Sequence, residues 1–104
     1  MNWLLPLLLL IFFEALADIL AKTWSLHSVT WYAVAALLAY LIGNSFWLIA
    51  LKNGSGLARG AAIFSVASAI LAIILGIVLY KESVTRLQIA GMILGIISIA
   101  LIFW

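Results

Sequence analysis

Cysteine is absent from this chain of 104 residues, proline and histidine each occur once, and only 8% of the residues are charged. Without cysteine there are no disulfides and no thiolate metal sites. The single histidine, His27, cannot build a metal centre alone and reads as an interfacial residue of the first loop. Acids number three and bases five. The bases are spread over three loops, which leaves no basic patch for nucleic acid to grip. No nucleophile, metal-ligand cluster or phosphate-cradling loop points to an enzyme. The N-terminus lacks the basic flank of a signal peptide, and the apolar run behind it is too long and carries acids, so no cleaved leader is expected.

Apolar side chains fill the space that charge leaves. They make up 69% of the chain, and the mean hydropathy is +1.40. A small soluble fold leaves a large share of its surface wet and could not hide that much apolar area. Four stretches, roughly 3–21, 30–51, 57–80 and 87–104, are each about long enough to cross a bilayer. The connections between them are too short to hold anything else. The expectation is an all-α integral membrane protein, one four-helix transmembrane domain over residues 1–104, multi-pass in the plasma or inner membrane.

Within the first stretch stands Glu14, ~17 Å from the start of the run at ~1.5 Å per residue, near the middle of a ~30 Å hydrocarbon core. An ionisable side chain at that depth is costly unless protonated or paired, and it marks a functional site by default. Asp18 and Lys22 follow at i+4 and i+8 and share its face. Lys22 falls at the interface, where its stem can snorkel. Asp18 is either the i,i+4 partner of Lys22 or a second acid lining a polar vestibule. Glu14 has no local partner, since Leu10 and Ile11 occupy the turn behind it.

In the second stretch Trp31 and Tyr32 form an aromatic belt, and Tyr40, Asn44 and Ser45 sit deeper. Polar groups at membrane depth need partners, so this face is expected to look inward, either bonding neighbouring helices or reaching Glu14 and a substrate. Lys52-Asn53-Gly54-Ser55-Gly56 is a turn. The third stretch is rich in small residues, with Ser68, Ala72 and Gly76 at four-residue intervals. In the fourth, Gly91 and Gly95 form a GxxxG pair followed by Ser98, and no ionisable group follows Arg86. That helix reads as a packing or dimerisation element.

The basic residues also bear on orientation. The first and third loops carry Lys22, Lys81 and Arg86; the opposite side carries Lys52, Arg59 and the N-terminal amine. Such a balance gives little preference for one insertion direction. Four helices can hardly enclose a pathway, whereas two copies inserted oppositely give eight helices with a two-fold axis in the membrane plane. An antiparallel, dual-topology homodimer is therefore expected. In it, Arg59 of one copy and Asp18 of the other share a membrane side.

The residues Phe13-Glu14-Ala15 with Lys22, Ser45-Phe46-Trp47-Leu48, Ala62-Ile63-Phe64-Ser65, Tyr80-Lys81-Glu82-Ser83-Val84-Thr85 and Gly91 to Ile102 resemble the small multidrug resistance family nearly end to end. That family belongs to the wider drug/metabolite transporter group. The resemblance implies an antiparallel dimer, of this chain or with a close paralogue, whose two Glu14 carboxylates hold either protons or a cationic substrate. It also points to Tyr40, Asn44, Ser45, Phe64 and Ser65 as pocket residues. Where the guanidinium-exporting branch has Trp and Tyr, this chain has Ala17 and Ala61, so the substrate is not carried over. The expected activity is proton-coupled export of a small cation (guanidinium-like, quaternary ammonium or polyamine), with protons as the coupling ion and no other cofactor. The alternatives are a carrier or flippase for an amine-bearing lipid or metabolite, and a non-transporting membrane assembly partner.

Overall fold

A computed structural model describes residues 2–103, which form four α-helices: α1 (Leu4–His27), α2 (Thr30–Lys52), α3 (Leu57–Tyr80) and α4 (Arg86–Phe103). Met1 with its amine, and Trp104 at the expected end of the last helix, lie outside the described residues. Pro6 sits in the first turn of α1, where its missing N–H has no intrahelical acceptor to lose.

The helix boundaries agree with the apolar runs except at the end of α1. Residues 22–27, including Lys22 and His27, were expected in a loop; they extend the helix by nearly two turns. The polar side chains there keep the backbone helical: Thr23 Oγ1 donates to the Ile19 carbonyl (2.8 Å) and Ser25 Oγ to that of Lys22 (2.7 Å). No glycine or proline interrupts the segment. The helix stops only at Ser28, in left-handed conformation (φ 55°), whose N–H caps the Trp24 carbonyl at 2.7 Å. The first connection is thus just Ser28-Val29. The second uses positive φ at Gly54 and Gly56. At the third, Lys81 adopts φ 54°, and Thr85 and Gln88 bond each other's backbone N–H at 3.2 and 2.8 Å, a capping box that starts α4.

In space the helices do not follow chain order. α1 packs along α2 on one side and on α3 on the other, α4 rests on α3, and α2 and α3 meet at one end and diverge from there. The result is a strip, α2–α1–α3–α4, measuring 41 × 34 × 15 Å. Its packed end gathers Trp3, Leu7, Leu10, Ala50 and Ile63, with Phe46, Trp47 and Phe64 against them. Close approach there needs glycine: a Cβ on Gly43 would lie 3.2 Å from the Phe13 Cβ, and one on Gly60 3.0 Å from the Trp47 ring. α1, α2 and α3 are long and apolar enough to cross a membrane; α4 is a shorter apolar helix. Leucines and isoleucines stand exposed on all four helices.

Candidate functional site

Glu14 is placed by the middle of α1, half-buried, beside a small aromatic group. Phe13 stacks on Phe46 of α2 (centroids 5.8 Å, 17° between planes), and Phe12 meets Phe13 edge-on at 5.4 Å. Among the described residues Glu14 has no hydrogen bond and no ion pair.

One turn further, Asp18 has found a partner, and it is not Lys22. The Tyr40 hydroxyl donates to Asp18 Oδ1 at 2.7 Å, across the α1–α2 seam. Buried alanines bring the helices together around this bond: Ala17 on α1, Ala36 and Ala39 on α2. Ala17 is completely buried, so the indole that the guanidinium branch carries at this position has no room here. Lys22 instead lies 3.9 Å from Glu82 Oε1 in the third connection and 5.8 Å from the centre of the Tyr80 ring. Tyr80 and Glu82 were read from the sequence as part of a loop motif and not as site residues. The available signal was topological, since Lys22 and the third loop must share a membrane side.

The other anticipated pocket residues do not converge on Glu14 within one chain. Asn44 and Ser45 look outward rather than inward. Each satisfies itself on its own helix, Asn44 Nδ2 on the Tyr40 carbonyl (3.0 Å) and Ser45 Oγ on that of Leu41 (2.9 Å), so neither needs a neighbouring helix. Phe64 belongs to the packed end, tilted against Trp47 at 6.4 Å. Ser65 is exposed and lines a groove of about 370 Å³ between α3 and α4, together with Gly91 and Gly95. Of those glycines only Gly95 is tightly packed inside the chain, where a Cβ would come within 2.9 Å of Val66 Cγ1; at Gly91 a Cβ would meet nothing, and Ser98 is exposed.

Arg59 is engaged at the packed end. Its Nε and Nη2 donate to the carbonyls of Ser55 (3.0 Å) and Gly54 (2.9 Å), and its guanidinium lies 4.5 Å from the Trp3 ring. One further polar atom stands out: Ser68 Oγ on α3 is enclosed without a hydrogen-bond partner among the described residues.

The arrangement is a line of ionisable groups along α1, from a mid-span carboxyl with no bond of its own among the described residues to a hydroxyl-bound carboxyl and then an ammonium loosely paired with a loop acid. Compared with known proteins, residues 2–104 match the model of the EamA-like transporter family. No curated protein and no solved structure matches the chain.

Proposed function

The chain belongs to the EamA-like transporter family of the drug/metabolite transporter superfamily, a multi-pass membrane protein, and from that premise we propose that it exchanges protons for a small organic cation at Glu14, in the manner of the small multidrug resistance branch. One observation carries this reading: Glu14 lies half-buried at mid-span with no bonded partner among the described residues. A carboxyl in an apolar layer can hold a proton or an organic cation, and holding both leaves a surplus charge in a medium of low dielectric. Exclusive occupancy of one group couples the two movements. Alternating access then needs only that the site face each side in turn.

A strip 15 Å thick with apolar side chains exposed on every helix encloses no pathway alone. We infer that two copies, inserted in opposite directions, pair to enclose it, with Asn44, Ser45 and Ser65 then looking toward the second copy. Exposure of Ser65, which has no hydrogen bond among the described residues, supports that pairing, because lipid offers it nothing.

The test is cation-driven proton movement across proteoliposomes, read by an internal pH dye, screening guanidinium, quaternary ammoniums and polyamines, beside Glu14→Gln. A proton flux that requires both a cation and Glu14 is expected. Its absence with every cation, from protein shown to be folded and dimeric, refutes the exchanger and favours a carrier of amine-bearing lipid or metabolite.

A further inference from the structure

At the open end of the strip a cavity of about 100 Å³ lies between α1, α3 and the third connection, walled by Asp18, Lys22, Gly76, Tyr80 and Glu82. It already recognises an ammonium, the chain's own. The Lys22 Nζ sits 3.9 Å from the Glu82 carboxylate and 5.8 Å from the Tyr80 ring centre, the pairing of carboxylate and π-face that a primary amine seeks. The receiving groups are held in place independently of Lys22. The Tyr80 hydroxyl donates to the Ile19 carbonyl at 3.2 Å. The Glu82 N–H donates to the Gly76 carbonyl, and the Glu82 carboxylate rests on Gly76, where a Cβ would lie 2.9 Å from Oε2.

Charge in this cavity does not balance: Asp18 and Glu82 face one ammonium. The Lys22–Glu82 contact is also loose, with 40% and 48% of the two side chains exposed. Exposed pairs of this kind are weak and exchange readily with solution ions.

We propose that this cavity is an admission site for the transported cation, where Glu82 and Tyr80 receive an incoming primary ammonium or guanidinium in place of Lys22, about one turn before Asp18 on the way to Glu14. The assignment rests on the exchange reading of Glu14 for its purpose but not for its chemistry. Lys22 acts as a tethered competitor: it keeps the site filled when substrate is absent and withdraws toward the headgroups when substrate arrives.

The site is tested by binding, with the exchange site silenced. Full-length Glu14→Gln protein in lipid nanodiscs, labelled on its tyrosine rings, is titrated with n-butylammonium while the Tyr80 ring resonances are followed by NMR. A saturable shift at Tyr80 is expected. Lys22→Met, by removing the competitor, tightens it about two- to fivefold. Glu82→Gln weakens it, and so does Gly76→Ala, which displaces the carboxylate without changing charge. A Tyr80 ring that does not respond, or a response indifferent to both Glu82→Gln and Lys22→Met, overturns the proposal. A Tyr80 response, when the parent protein shows no Glu14-dependent proton flux, upholds this site and refutes the exchanger; a Glu14-dependent flux in the parent protein with a silent Tyr80 does the reverse.

Discussion

The Tyr40–Asp18 bond joins α1 to α2 side chain to side chain, and removing it should be measurable. At 2.7 Å with a charged acceptor, it is short and charge-assisted. Interhelical hydrogen bonds in membrane proteins average ~0.6 kcal/mol and reach ~1.7 kcal/mol, because the unfolded chain in lipid also finds partners. A carboxylate acceptor places this one in the upper half, ~1–1.7 kcal/mol, or about a 5- to 18-fold change in the folding equilibrium. Partial exposure of the pair keeps it from going higher. The assay is a double-mutant cycle of Tyr40→Phe and Asp18→Ala, read by reversible unfolding in mixed micelles. Tyr40→Phe alone should cost slightly more than the coupling energy, since it strands the carboxylate. A coupling below ~0.3 kcal/mol would show that solvent or lipid headgroups replace the bond at no loss, and that α1 and α2 are aligned by apolar packing alone.

Three other outcomes follow from packing. Gly95→Ala should destabilise the fold by ~0.5–2 kcal/mol, overpacking against Val66 outweighing the gain in helix propensity. Gly91→Ala should leave unfolding unchanged or slightly improved, because no described residue lies within 4 Å of a Cβ there; on the proposed pairing of two copies it should weaken self-association in analytical ultracentrifugation. Ala17→Trp should cost more than ~3 kcal/mol and leave little monodisperse protein on size-exclusion chromatography, instead of recreating a guanidinium pocket. Glu14→Gln should abolish cation-driven proton flux and leave the unfolding midpoint close to that of the parent protein, since no bond within the described chain is lost.

Helix number and most boundaries were legible because long apolar runs alternate with Gly54, Gly56 and the charged third loop. The end of α1 was not. Lys22 to His27 reads as a loop by composition, and its helicity comes from side chains bonding back to their own carbonyls, which polar content alone does not reveal. Glu14 was legible from depth. Its neighbour Asp18 was half so: spacing suggests Lys22, but Tyr40 lies 22 positions away and becomes a partner only once Ala17, Ala36 and Ala39 bring α1 against α2. Tyr40 and Asn44 share one turn and were read as a common inward face, yet the Asn44 amide turns to the Tyr40 backbone and the tyrosine hydroxyl to α1. The T-x-x-Q pattern of Thr85 and Gln88 states the start of α4 plainly in sequence terms.

The spatial order of the helices gives α1 an unusual mechanical position. Among the described residues α2 and α3 meet at the packed end alone, where Trp47 lies on Gly60 and Phe64, and over the rest of the strip the rod between α2 and the α3–α4 pair is the one that carries Glu14, Asp18 and Lys22. With the packed end held, a tilt of one half of the strip against the other turns along that rod. Each acid along it therefore lies on the axle, where a small rotation re-aims a side chain while barely moving its backbone. The load and the pivot are the same helix, so whatever occupies the carboxyls bears directly on how freely the two halves swing.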